Sequence, residues 1–135
     1  MARTAVLNPL CGMQRAGRVA MGYPPERYND LRAFLAALEL AHILAGETPG
    51  CPVDAKVAVA QVYHARQDAQ IIGGWFGWND PTATDLAVAL TWQAWPDLTA
   101  GALYAVGPGD AERMGWLDKP TGEWRCQNTT VTIWR

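Results

Sequence analysis

Hydrophobic positions in the first half of the chain recur at helical spacing. Asn29 or Asp30 is suited to cap a helix that ends near Gly46, and one face of this helix carries a predicted buried stripe: Leu31, Phe34, Leu35, Leu38, Ala41 and Ala45. A second helix is predicted over Val53 to Gln67, where apolar residues fill the middle of the segment. Because this helix is apolar on most sides, we expect it to be central and largely buried.

The pattern changes in the second half of the chain. A third helix is predicted to begin at Thr82 or Thr84 and to end before Pro96, with four side chains available for burial: Leu86, Ala89, Leu90 and Trp92. Two strand candidates follow, Ala102 to Val106 and Thr129 to Trp134, and a Gly-Pro-Gly turn comes after the first. The predicted fold class is α+β and mainly helical, with about three core helices and a small C-terminal β-sheet.

Residues 1–28 are predicted to form an N-terminal arm, and residues 29–135 to form one domain. Four arginines and one glutamate give the arm a net charge of +3, and helix-breaking residues interrupt it: Pro9, Gly12, Gly17, Pro24 and Pro25. The arm is a candidate for contact with a protein partner. It has no continuous apolar segment, so we expect no secretory signal.

Composition and charge exclude several classes of protein. Half of the 135 residues are hydrophobic and 18% are charged, which is enough apolar surface for one packed domain. The net charge of −2 provides no broad cationic surface, so nucleic acid is not an expected partner. Charged residues interrupt the richest apolar stretch, Leu31 to Ala45, and no membrane span is predicted.

The three cysteines, Cys11, Cys51 and Cys126, are too few for a disulfide scaffold in a chain of this length. Their odd number favours free thiols. A bridge between Cys51 and Cys126 would close a long loop and is the alternative. Metal ligation is not expected, because the cysteines and histidines lack the paired spacing of zinc ligands.

All seven tryptophans lie in the last 61 residues. Trp75 and Trp78 stand in a glycine-rich loop without helical or strand periodicity, where burial of a large ring is difficult to arrange. Indole rings offer a flat apolar face and a polar N–H, which suits stacking on sugar rings. This loop is therefore a candidate carbohydrate-binding surface.

Glu47 directly follows the predicted end of the first helix. The negative end of the helix dipole and apolar neighbours both disfavour ionisation of a carboxyl group. A carboxyl that stays protonated near neutral pH is what a general acid needs to protonate a glycosidic oxygen. Position alone does not establish this role, because glutamates near helix ends are usually solvated.

Several segments resemble the SleB-type cell-wall hydrolases, the family of the spore-cortex-lytic enzymes. The first is Leu40–Gly50 (LAHILAGETPG), which is followed by Ala55–Val62 (AKVAVAQV) and then by Arg66. The second match is Pro96–Tyr104 (PDLTAGALY), and the loop around Phe76 stands where the family has a Gln-Phe segment. The resemblance covers about residues 40–104 in the family's order. Three positions depart from it: Ala65 replaces an asparagine, Ala100 replaces a glycine, and Trp75 precedes Phe76 where the family has a Gln-Phe segment.

The resemblance implies a lysozyme-like domain that cleaves peptidoglycan glycan strands between N-acetylmuramic acid and N-acetylglucosamine. Glu47 would be the catalytic acid and base. The candidate substrate-binding residues are Trp75 and Trp78, from their place in the aromatic loop, together with Phe76, Asp97 and Tyr104 in the segments that match the family. The family resembles lytic transglycosylases, which need one carboxyl because the 6-hydroxyl of the substrate closes on the anomeric carbon. Neither a cofactor nor a metal is expected.

Other carboxylates remain candidates for a supporting role. Most glycosidases use two carboxyl groups, and Asp80, Asp85 or Asp97 could stabilise positive charge at the anomeric carbon. Each is also suited to a turn or a helix cap. Tyr104 is equally suited to bind substrate and to pack in the interior.

Two rival functions differ in class. A cysteine peptidase could use Cys51 at a helix N-terminus, but His64 would lie about 20 Å away along a continuous helix. The stronger rival is a non-catalytic glycan-binding module or phage structural protein that keeps the lysozyme-like fold. As an enzyme, the protein is expected to be a phage, prophage or bacterial lysin, held in the host cytoplasm or carried in a virion.

Overall fold

The computed structural model describes residues 25–75, 77–115 and 119–135. Within these ranges the chain forms four α-helices and three strands: α1 (Pro25–Glu47), α2 (Val53–Asp68), α3 (Ala83–Thr91), β1 (Tyr104–Val106), α4 (Pro108–Arg113), β2 (Gly122–Arg125) and β3 (Thr130–Trp134). The predicted α+β class, with three main helices before a small sheet, is confirmed. In this part of the chain, no helix combines the length and the apolar character that crossing a bilayer requires.

Helix α1 begins earlier than the capping pattern predicts. It starts at Pro25, so the predicted boundary between residues 28 and 29 lies inside the helix, and residues 1–24 of the predicted arm lie outside the described residues. The chain divides into two compact units after Leu35. The prediction of one continuous buried stripe is wrong, because three of its members are exposed: Leu31, Phe34 and Leu35.

Helix α2 is the centre of the second unit, as its apolar sequence predicts. Every residue from Ala55 to Ala60 is buried, and so are Val62 and Tyr63. Leu40 and Leu44 of α1 belong to the same apolar cluster. Small residues allow close approach on several sides of α2, and this is why a helix with little amphipathic character is stable here.

Helix α3 begins as predicted, with Thr82 as its N-cap. The Thr82 hydroxyl accepts a hydrogen bond from the Asp85 N–H, and the Asp85 carboxylate accepts one from the Thr82 N–H, which completes a capping box. The predicted burial of Leu90 is wrong, since Leu90 is exposed and Val88 is buried instead. The helix ends at Thr91, and a 3-10 turn leads the chain towards Pro96.

The C-terminal sheet has three antiparallel strands in the order β1-β3-β2. Tyr104 pairs with Trp134 across β1 and β3, and Trp124 pairs with Val131 across β2 and β3. Strand β2 was not predicted, because its four residues gain their strand character from pairing with β3. The predicted Gly-Pro-Gly turn is wrong, since Pro108 opens helix α4, a position at which proline is favoured.

A disulfide joins Cys51 to Cys126, so the alternative pairing holds and the expectation of free thiols is wrong for these two residues. The bridge closes a loop between residues 75 positions apart in the sequence, and bridges of this kind contribute about 2–4 kcal/mol to stability. The Gln127 N–H also donates to the Gly50 carbonyl at 3.2 Å. Both contacts fix the turn between α1 and α2 to the β2–β3 hairpin.

Candidate active site

Glu47 is the last residue of α1 and is partly buried. The Gly77 N–H donates to Glu47 Oε2 at 2.5 Å, so the carboxyl group is held against the glycine-rich loop. Two glycines allow this approach. A Cβ on Gly46 would lie 2.1 Å from the backbone nitrogen of Trp78. A Cβ on Gly77 would lie 2.3 Å from the carbonyl carbon of Gly46. The end of α1 and the loop therefore pack backbone against backbone.

Further contacts hold the same loop on α1. His42 Nδ1 donates to the Asn79 carbonyl at 2.8 Å, and the Asn79 N–H donates to the His42 carbonyl at 3.2 Å. The Trp78 indole stacks on the His42 ring, with centroids 4.5 Å apart and planes nearly parallel. His42 therefore holds the loop that contacts Glu47.

Glu47 lines a groove of about 670 Å³, which we call the Glu47 groove. Trp75 from the glycine-rich loop and Tyr104 from β1 line it, and so do Asp110 and Arg113 of α4. Asp110 and Arg113 form an ion pair with each other. An acid and two aromatic side chains that line one groove of this size are suited to a sugar substrate.

Arg66 contacts both Trp75 and Tyr104, two aromatic residues that line the groove. Its Nη1 donates to the Leu103 carbonyl at 2.9 Å, just before β1, and its Nη2 donates to the Gly73 carbonyl at 2.9 Å in the loop. The guanidinium carbon lies 5.7 Å from the Trp75 ring centroid and 5.5 Å from that of Tyr104. The arginine of the resembling motif therefore determines the spacing of the walls.

Behind Glu47, a buried polar network fixes the turn that follows it. Lys56 Nζ donates to the Thr48 carbonyl at 2.7 Å and to Asp85 Oδ1 at 2.6 Å. Thr48 Oγ1 donates to the Leu44 carbonyl at 2.6 Å. Burial acts to raise the pKa of Asp85, but hydrogen bonds from Lys56 and Thr82 outweigh it and lower that pKa below its ordinary value. Asp85 thus has a structural role rather than a place in the groove.

A second groove, of about 720 Å³, lies on the other side of Trp75. It shares Arg66 and Trp75 with the Glu47 groove, and Trp78 and Tyr63 also line it. Burial and the charge of Glu39 raise the pKa of the Tyr63 hydroxyl. Trp75 is thus the common wall of two adjacent grooves, and Trp78 belongs to the second.

Asp97 belongs to a third groove, of about 360 Å³, with His64 and Trp95. Its carboxylate accepts hydrogen bonds from the Thr99 N–H at 2.9 Å and the Ala100 N–H at 3.2 Å. These bonds lower the pKa of Asp97, and the bond from the Thr99 N–H has the largest effect. They hold a turn in which Ala100 has a φ of +50°, the position where the resemblance implies glycine. In the described part of the chain Asp97 does not line the Glu47 groove.

The predicted site residues therefore separate into groups. Glu47, Trp75 and Tyr104 share one groove, whereas Trp78 and Asp97 line others. Phe76 lies outside the described residues, and Asp80 is exposed. The unpredicted lining residues include Asp110 and Arg113, because helix α4 itself was not predicted, and Met114, which follows it. The peptidase alternative fails because the Cys51 thiol is in the disulfide.

Gly46→Ala is expected to destabilise the protein by about 1–3 kcal/mol, because the new methyl group overlaps the loop backbone. It should also lower any activity that depends on Glu47, since the loop that holds the carboxyl must move. Gly107→Ala is the control, as its Cβ would meet nothing nearer than 3.9 Å. Thermal unfolding measures both variants, and equal melting temperatures would contradict the close packing at Gly46.

No family model matches the sequence, and no curated protein or solved structure matches it. The likeness to SleB-type hydrolases therefore stays a prediction made on the residues of three short segments. Support for a function comes from the geometry around Glu47.

Proposed function

We propose that the protein cleaves the glycan strand of peptidoglycan between N-acetylmuramic acid and N-acetylglucosamine, on a lysozyme-like domain. The observation that carries this proposal is the place of Glu47. Its carboxyl is held by the Gly77 N–H and lines a groove whose walls include Trp75 and Tyr104. Aromatic faces bind sugar rings, and a positioned carboxyl beside them can transfer a proton to the glycosidic oxygen.

The proposed reaction needs one carboxyl group. Glu47 gives its proton to the bridging oxygen as the bond from the anomeric carbon to that oxygen breaks, which leaves a free 4-hydroxyl on N-acetylglucosamine. The 6-hydroxyl of the muramyl residue then attacks the anomeric carbon, and Glu47 takes up the hydroxyl proton. Glu47 regains its starting state, and the product carries a 1,6-anhydro ring.

The aromatic walls have a positioning role in this proposal. Trp75 and Tyr104 lie on separate elements, a loop and a strand, and Arg66 connects both. Held in this way, the rings limit the orientations that a bound sugar can adopt, which brings the glycosidic oxygen near the acid. Trp78 extends the aromatic surface into the second groove.

The disulfide bears on where the protein acts. Structural disulfides persist in oxidising surroundings and are rare in a reducing cytosol. The Cys51–Cys126 bridge therefore supports a lysin that works on the wall outside the cytosol, after release from the host cell or carriage in a virion.

Mass spectrometry of peptidoglycan incubated with the purified protein tests the proposal. We expect soluble fragments that end in 1,6-anhydro-N-acetylmuramic acid. Fragments with a reducing muramic acid would instead indicate hydrolysis by water. Binding to cell walls without release of any fragment would contradict an enzyme and favour a non-catalytic module with the same groove.

A further inference from the structure

Arg66 is a buried cation without an ion-pair partner among the described residues. It is 9% exposed, and within the described ranges its Nε has no hydrogen-bond partner. The two ion pairs in this part of the chain are Lys56–Asp85 and Arg113–Asp110, and Arg66 takes part in neither. Burying a charge without a counter-charge is costly, so such a group calls for an explanation.

The neighbours of Arg66 compensate its charge in part. Two backbone carbonyls accept hydrogen bonds from Nη1 and Nη2, and the rings of Trp75 and Tyr104 lie within 6 Å of the guanidinium. Carbonyl dipoles and ring faces attract a cation but carry no net charge. These neighbours therefore do not neutralise the charge of the guanidinium. A bound anion in the Glu47 groove would neutralise it.

Gly74 leaves space for that anion. A Cβ on Gly74 would lie 2.7 Å from Arg66 Nη2, and Gly74 itself lines the Glu47 groove. Any other residue would place a carbon atom directly against this nitrogen. Gly73, the neighbouring glycine, has nothing within 4 Å of the corresponding position. Arg66 and Gly74 both line the Glu47 groove, and with no side chain at Gly74 this residue does not cover Nη2.

We propose that Arg66, beneath Gly74, forms a carboxylate-binding subsite of the Glu47 groove. The inference rests on the proposed function for its ligand, since peptidoglycan glycan carries carboxylates and chitin-type glycan does not. Among the described residues that line the groove, neither Asp110 nor Glu47 forms an ion pair with Arg66. Asp110 pairs with Arg113, and Glu47 Oε2 accepts from the Gly77 N–H. The subsite therefore distinguishes an acidic sugar polymer from a neutral one.

The carboxylate has two chemical sources in peptidoglycan. The lactyl group of muramic acid carries a free carboxylate where no peptide is attached. Where a peptide is attached, the lactyl group is an amide and the carboxylates belong to the peptide. Titration with N-acetylmuramic acid and with an N-acetylmuramoyl dipeptide separates the two sources, and N-acetylglucosamine is the neutral reference.

Tryptophan fluorescence or NMR of the wild-type protein measures the three affinities without any need for cleavage. We expect at least one acidic ligand to bind about tenfold or more tightly than N-acetylglucosamine, the advantage typical of a hydrogen bond between charged groups. Preference for N-acetylmuramic acid assigns the lactyl source, and preference for the dipeptide alone assigns the peptide source. Equal binding of all three sugars would overturn the subsite.

Gly74→Ala and Gly73→Ala form a matched pair of variants. Both glycines have positive φ values, +85° for Gly74 and +77° for Gly73, so the backbone strain of an alanine is similar. Gly74→Ala should abolish the preference for the acidic ligand, and Gly73→Ala should keep it. Loss in both variants or in neither would contradict the position of the subsite. A preference without any cleavage of peptidoglycan would refute the proposed catalysis and leave the subsite standing.

Discussion

Glu47→Gln is expected to reduce the release of glycan fragments by at least about 100-fold, the contribution of a positioned general acid. Glutamine has nearly the same size, and its amide oxygen can still accept the hydrogen bond from the Gly77 N–H. It has no proton to give to the glycosidic oxygen, however. Catalysis should therefore be lost while the structure of the groove is kept, and mass spectrometry of the soluble fragments measures the loss.

The control for this experiment is Glu123→Gln, an exposed glutamate on β2 that should keep full activity. Thermal unfolding of Glu47→Gln should match that of the wild type, which excludes unfolding as the cause of the loss. Unchanged turnover in Glu47→Gln would overturn its assignment as the acid. Equal loss in Asp110→Asn, together with reducing-end products, would show that the groove uses two carboxyl groups.

Lys56→Met is expected to lower the free energy of unfolding by about 3–5 kcal/mol, the usual effect of leaving one partner of a buried ion pair alone. Asp85 is 1% exposed and would lose the ammonium group that lies 2.6 Å from its carboxylate. The Thr48 carbonyl would lose a donor as well. Urea denaturation of the variant and the wild type measures the difference.

The matched control is Lys119→Met, which removes an exposed lysine and should change stability by less than about 1 kcal/mol. The double variant Lys56→Met with Asp85→Asn should recover part of the loss, because the buried carboxylate is then gone. Equal destabilisation by the two lysine substitutions would show that the buried ion pair contributes nothing.

The same pair has a pH signature. Because the folded-state pKa of Asp85 lies below the ordinary value of 3.8, its contribution is complete above that value and is lost as the pH falls through the folded-state pKa. The stability difference between wild type and Lys56→Met should therefore shrink below about pH 4. A difference that stays constant down to pH 2 would contradict this account.

Local pattern predicted the main helices and strands β1 and β3, because periodicity and caps act over a few residues. Thr82 is the clearest case, since its cap is formed with Asp85 three residues away. Strand β2 and helix α4 were missed because segments of four and six residues are too short to show a clear periodic pattern. Leu35 and Leu90 were predicted to be buried and are exposed, since spacing alone does not reveal which face has a neighbour.

The candidate site was predicted in part. Glu47, Trp75 and Tyr104 were named separately, and a motif resemblance linked them before any distance was known. Asp97 was named for the same reason, yet its carboxylate holds the turn at Thr99 and Ala100. The sequence contains no signal for the position of Asp110 in the Glu47 groove.

By itself the sequence determined the three main helices, where α1 ends and that an acid stands at that end, because these features depend on neighbours along the chain. The tertiary structure alone decided that Gly46 and Gly77 meet and that Arg66 joins two aromatic walls. It also decided that Cys51 pairs with Cys126. These contacts join residues far apart in the sequence, and their geometry depends on the packing of the whole domain.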